Sequence, residues 1–176
     1  MYAGHAKYNQ SGKSKKIPMK KSKSLLNLIL FFTLTLSFIS CTKGPVFESY
    51  IKMKNTTWDR FDIKEFTVPI SEAAKSYDIQ AVVRCTEKFQ YDNLPFYVIL
   101  TTPAGEERMR EVTLRVKENG KLVIDPETSK AESRLILWKN ISMADVGKCK
   151  ITLENMIPKI QTEGIDEIGI VVTEAE

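Results

Sequence analysis

The residues in this chain that could do chemistry are three cysteines, a few clustered carboxylates and a set of aromatic rings. Cys41 stands at the end of a long uncharged run, directly after the small residue Ser40. A thiol in that position can be alkylated by lipid while the chain is cut beside it. Cys85 and Cys149 have no such neighbours, and no histidine is available to activate them, because the single histidine is His5. That absence removes the commonest general base and the commonest metal ligand from everything downstream. Neither a Cys-x-x-Cys pair, nor a Gly-x-Ser-x-Gly elbow, nor a phosphate- or calcium-binding loop is present. Glycoside hydrolysis can run on carboxylates alone, which makes Glu106, Glu107, Glu111, Asp166 and Glu167 worth weighing. Adjacent residues on a strand point to opposite faces, so Glu106-Glu107 and Asp166-Glu167 read as solvated surface charge. The expectation is a protein that is not an enzyme and holds no cofactor and no metal. Ring faces can also bind sugars or partner side chains. Trp58 beside Asp59-Arg60, and Phe89 and Tyr91 beside Asp92-Asn93, form the candidate interaction surface, with burial in the core as the competing reading. Trp138 alternates with Leu135 and Leu137 and reads as core or core edge.

The elements that position these groups begin with a leader. Residues 1–40 contain seven lysines and no Asp or Glu, and residues 25–40 (LLNLILFFTLTLSFIS) carry no charge. Basic, then apolar, then small is the order of a secretory signal. Sixteen residues fall short of the roughly 20 that cross about 30 Å of hydrocarbon, which favours cleavage over a permanent span. Phe38-Ile39-Ser40-Cys41 is similar to a lipobox, with Phe38 in place of the usual Leu. Met19 precedes Lys20-Lys21-Ser22-Lys23 and offers an alternative start. The expected organisation is a signal peptide over 1–40, a lipidated tether over 41–45 and one domain over 46–176.

The leader also accounts for the basic character of the whole chain. Taking its seven lysines from 26 Lys plus Arg leaves 19 against 22 Asp plus Glu, so +4 for the whole becomes −3 for the rest. A nucleic-acid partner is therefore not expected. Lipid attachment at Cys41 leaves Cys85 and Cys149 as an even pair in an oxidising compartment, either bridged or two buried thiols.

Past the tether, period-two alternation of apolar and polar residues dominates. It predicts nine strands, over residues 47–53, 61–70, 77–85, 94–102, 108–117, 121–125, 134–140, 147–155 and 165–173. Pro103-Ala104-Gly105-Glu106 supplies a reversal, and Asn119-Gly120 reads as a two-residue hairpin turn. Tyr97-Val98-Ile99-Leu100 predicts a strand covered on both faces, whereas Arg110, Thr113, Arg115 and Lys117 predict an outer strand with one wet face. Helical turns are expected only at residues 71–76 and 155–162, the latter interrupted by Pro158. The resulting fold class is all-β, an antiparallel β-sandwich of eight or nine strands.

Several segments together resemble the gliding-motility lipoprotein GldH family over most of residues 41–176. These are Val46-Phe47-Glu48-Ser49-Tyr50, Trp58 followed by Phe66-Thr67-Val68-Pro69-Ile70, Tyr91-Asp92-Asn93-Leu94 leading into Phe96-Tyr97-Val98, Thr102-Pro103-Ala104-Gly105 and Gly164-Ile165-Asp166-Glu167-Ile168-Gly169-Ile170. Residues 123–134 depart from it, lacking glycine where the resemblance implies a Gly-rich, Trp-containing segment. The resemblance implies a lipid-anchored, non-enzymatic component of the cell-envelope gliding machinery, linked to outer-membrane secretion, with other envelope proteins as partners. A ligand-binding lipoprotein of an uptake system, presenting glycan or peptide, is the alternative carried by the rings. Thr42-Lys43-Gly44-Pro45 has no acidic run, from which a domain facing the periplasm is expected.

Overall fold

A computed structural model describes residues 44–126 and 128–175. The leader, Cys41 and most of the tether lie outside the described residues. Residues Lys43–Glu176 form one compact unit.

Among the described residues twelve strands follow one another: β1 (Phe47–Lys52), β2 (Thr57–Asp59), β3 (Lys64–Ile70), β4 (Lys75–Cys85), β5 (Asn93–Thr101), β6 (Glu107–Arg115), β7 (Lys117–Glu118), β8 (Lys121–Leu122), β9 (Glu132–Met143), β10 (Gly147–Asn155), β11 (Gln161–Glu163) and β12 (Ile165–Glu174). They make two four-stranded antiparallel sheets, ordered β1-β12-β4-β9 and β3-β10-β5-β6, with β2–β11 and β7–β8 as small pairs. Alternation decides the layering. Tyr77, Ile79, Ala81, Val83 and Cys85 of β4 and Ile168, Ile170 and Val172 of β12 join Phe66, Val68, Phe96, Val98, Leu100, Ile151 and Leu153 of the other sheet in one buried cluster. The architecture is the expected all-β sandwich.

Turn chemistry holds at both predicted reversals. Asn119 and Gly120 have φ of 52° and 74°, the pair of positive values that a two-residue hairpin of this twist needs, and they close Lys117 onto Leu122. After β5, the Gly105 amide donates to the Thr102 carbonyl at 2.9 Å, with Gly105 at φ 85°.

Five expectations are corrected. Residues 71–76 form no helix: the chain turns at Ala74 (φ 59°) and enters β4 at Lys75. Residues 155–162 are not helical either. Asn155 accepts the Ile157 amide at 3.0 Å and donates to Thr162 Oγ1 at 2.8 Å, side-chain bonds that compete with a helix, and Pro158 removes a helical donor. The strand expected from Phe61 begins only at Lys64, and the one expected over 121–125 is confined to Lys121–Leu122 with an isolated bridge from Ile124 to Ala131. β5 is interior to its sheet but covered on one face only: Leu94, Phe96, Val98 and Leu100 are buried while Pro95, Tyr97 and Ile99 are half-buried. β6 is the outer strand with a wet face that its charges predicted. Among the described residues no helix is long and apolar enough to cross a membrane.

Candidate functional site

The three rings proposed as a surface are drawn largely inward, which corrects that expectation. Trp58 and Phe89 are both 0% exposed. The Trp58 indole N–H donates to the Asp62 carbonyl at 2.8 Å, so this ring braces a loop and presents no face to solvent. Phe89 meets the half-buried Tyr91 edge-on, with centroids 5.8 Å apart. Tyr91 borders a cavity of about 140 Å³ shared with Gln90, Lys159 and Gln161, where the Lys159 ammonium lies 5.5 Å from the Tyr91 ring. With Trp58 and Phe89 buried, and the cavity at Tyr91 below the roughly 300 Å³ at which ligand pockets begin, the rings no longer support the uptake reading. Trp138 is half-buried at the core edge under the Arg110 guanidinium, 5.7 Å away.

The burial of Trp58 has an outward consequence. The loop it braces exposes Phe61 (78%) and Ile63 (56%), and the Arg60 amide bonds the carbonyl of Ile160, itself 73% exposed. These three apolar residues occupy neighbouring segments joined by that hydrogen bond. Phe61 and Ile63 had read as part of a strand, which the structure begins only at Lys64.

A second feature lies on the outer face of sheet β1-β12-β4-β9. Val82 (0%) and Val171 (6%) are buried yet belong to no part of the core cluster, so something covers them from outside. Register shows what. Lys52, Glu167, Arg84 and Glu132 share one rung, Tyr50, Gly169, Val82 and Arg134 the next, and Glu48, Val171 and Gln80 the third. Gly169 makes room for Tyr50, since a Cβ there would stand 2.4 Å from the ring. The Arg84 guanidinium stacks 4.3 Å from the Tyr50 centroid. Glu132, its side chain 0% exposed, accepts from Arg84 Nε at 2.7 Å and from Arg134 at 2.6 Å. Arg84 also pairs with Glu167, and Arg134 Nε with Asp125 at 2.9 Å. Burial, then the bond to Glu48, pushes the Tyr50 hydroxyl up to about 12. Toward Pro45 the face opens into a groove of about 410 Å³ lined by Glu48, Gln80, Asp125, Arg134, Val171 and Thr173.

The shared carboxylate sets a stability prediction. Glu132→Gln keeps the shape but leaves two guanidiniums short of a charge. Breaking a buried pair costs about 3–5 kcal/mol, and partial exposure of both arginines reduces this to roughly 2–3 kcal/mol. Urea unfolding of the variant beside the parent reads it directly.

The remaining candidates do not converge. Glu106 pairs with Arg108 at 2.8 Å, which lowers its pKa, and Glu107 and Glu111 are exposed on β6. Glu167 belongs to the Arg84 network, and among the described residues no group of three His, Cys, Asp or Glu is placed to hold a metal. Cys85 and Cys149 are free buried thiols on strands of different sheets, so of the two readings left open it is the unbridged one that this structure holds. Burial alone pushes Cys149 up to about 11, and burial first of all pushes Cys85 up to about 12. Both thiols, and Tyr50, are held neutral by folding, so the stability they contribute is complete below about pH 9 and is lost as pH rises through 11 and 12. Thiol-labelling of the native chain at pH 8 is expected to miss Cys85 and Cys149 and to reach both in denaturant, and the unfolding midpoint is expected to fall steadily above pH 9.

Comparison with known proteins gives this fold a family. Residues 45–172 match the model of the GldH lipoprotein family. A curated relative, the gliding motility lipoprotein GldH of Flavobacterium johnsoniae, is 26% identical over 153 residues, spanning 82% of this chain and 90% of that protein. Among solved structures, a family GH115 4-O-methyl-alpha-glucuronidase with specificity for decorated arabinogalactans is 12% identical over 73% of this chain and 14% of its own, at a TM-score of 0.41, too distant to carry an argument. With its strands, its sandwich core and the match running from the tether to the last strand, this chain belongs to the GldH lipoprotein family.

Proposed function

We propose that the protein is a lipid-anchored interaction component of the cell-envelope gliding machinery, tied to outer-membrane secretion, facing the periplasm and catalysing nothing itself. Cys41 carries the lipid, and acyl chains contribute about 0.8 kcal/mol per buried methylene, enough with several chains for permanent anchoring. The observation that carries the interaction reading is the braced apolar tip of Phe61, Ile63 and Ile160: a rigid body that keeps such residues in water has a contact for them elsewhere. The family supports motility as the setting.

The test is co-purification of the full-length lipidated chain from envelopes. The parent is expected to bring envelope proteins with it. The double variant Phe61→Ser, Ile160→Ser is expected to lose them with its stability within about 0.5 kcal/mol of the parent, as for exposed positions. Cys41→Ala is expected to leave the membrane fraction, and mass spectrometry to find acyl chains on the parent's residue 41. A parent that emerges without protein companions, or a double variant that keeps them all, sinks the reading. Protease applied to intact cells is expected to spare the domain, and its removal would overturn the periplasmic placement.

A further inference from the structure

The groove on the outer face of sheet β1-β12-β4-β9 sits apart from the apolar tip, and its charge is lopsided. Glu48, Val171 and Gln80 stand side by side on one rung, with Thr173 and Asp78 on the next. The apolar and neutral floor thus has Glu48 on one side and Asp125 with Arg134 on the other. Among the described residues that line the groove, the charged ones are Glu48, Asp125 and Arg134, a net of −1. Arg134 is already committed to Glu132 and Asp125, whose side chains are 0% and 7% exposed. Glu48, by contrast, is exposed, and among the described residues it accepts a hydrogen bond from the Tyr50 hydroxyl at 2.7 Å, a use of one oxygen that leaves the rest of the carboxylate's acceptor capacity toward the groove. A space of about 410 Å³ takes a few residues of extended chain. The negative excess repels phosphate, which disfavours nucleic acid and phospholipid headgroups.

We infer that this groove docks an extended, lysine- or arginine-bearing segment of a partner protein, its cationic side chain against Glu48 and its backbone along Val171 and Thr173. The inference rests on the interaction reading above and names the chemistry of one contact. Complementary charge of this kind sets which partner is accepted and how fast it arrives.

The experiment places a photo-crosslinking p-benzoylphenylalanine at Thr173, and for comparison at the exposed Glu107 of β6, in the full-length chain. A biotinylated decapeptide of alternating lysine and threonine is the probe, beside the same peptide with glutamate for lysine. Labelling from position 173 by the lysine peptide is expected to exceed both the glutamate peptide and position 107 by at least about tenfold, and to vanish at high salt. Glu48→Gln retains an acceptor for Tyr50 and removes only the charge, so a two- to fivefold lower labelling is expected, about the size of an exposed ion pair. If the crosslinker at 173 disturbs the fold, as thermal unfolding would reveal, Gln80 offers a second position on the same groove. Equal labelling by both peptides, equal labelling at both positions, or no change in Glu48→Gln overturns the proposal. Envelope proteins that still co-purify in that case leave the interaction reading standing, whereas a labelled groove on a chain without companions does the reverse.

Discussion

Gly164→Ala is expected to cost roughly 2–5 kcal/mol, from a left-handed backbone penalty of about 1–2 and an overpacking penalty of about 1–3. Gly164 has φ +87°, and a Cβ there would lie 2.1 Å from the Phe89 nitrogen and 2.5 Å from its Cα. Those atoms are backbone and cannot rotate aside. The neighbourhood is also tied together through this residue: its amide donates to the Thr56 carbonyl at 2.8 Å, and its carbonyl accepts from the Thr86 amide at 2.8 Å. A shift here therefore disturbs the turn after β1, the loop after β4 and the entry to β12 together. Gly105 isolates the packing part, because it has φ +85° and nothing within 4 Å of an added Cβ. Gly105→Ala is expected to cost only the backbone penalty, about 1–2 kcal/mol. Urea unfolding of both variants measures the difference, and equal losses would show that the close approach at Phe89 is irrelevant. For a domain whose whole stability is about 5–15 kcal/mol, the Gly164 variant is expected to populate unfolded chain at growth temperature.

Sequence was most legible where one face of a strand is buried and the other wet. The alternation in β4 and β10, and the Asn119-Gly120 turn, report directly on the local backbone, and the structure keeps them. Alternation misled at Phe61 and Ile63, because a loop pinned by the buried Trp58 ring can hold apolar residues outward with the same spacing. It also missed the network on the outer sheet face. Tyr50, Arg84, Glu132, Arg134 and Glu167 come from four strands far apart in the chain, and each alone is an ordinary polar residue on a wet face. Cross-strand register joins them, and register is a property of pairings between distant segments. The cysteines were ambiguous for the same reason, since inward alternation at 85 and 149 does not say which sheet each belongs to. Asn155 shows the opposite limit: one side chain making three hydrogen bonds redirected a segment that composition alone reads as helical.

Trp58 joins stability to the apolar tip, and two substitutions separate the roles. Trp58→Ala empties a fully buried site and removes the indole donor, for which about 3–5 kcal/mol is expected. Its backbone pairs with Thr162 and its carbonyl accepts from Asn155, so the small β2–β11 pair is expected to loosen with it. Trp58→Phe keeps most of the apolar volume but leaves the Asp62 carbonyl without its 2.8 Å partner. That loss is worth about 1–3 kcal/mol and is local, so the sandwich is expected to survive while residues 60–63 exchange their amide hydrogens faster. If the tip works by being held in one shape, Trp58→Phe weakens envelope co-purification by more than its modest stability loss explains, because ordering the loop must then be done at the moment of binding. Faster exchange at 60–63 with undiminished co-purification would mean that Phe61 and Ile63 are exposed for some reason other than contact.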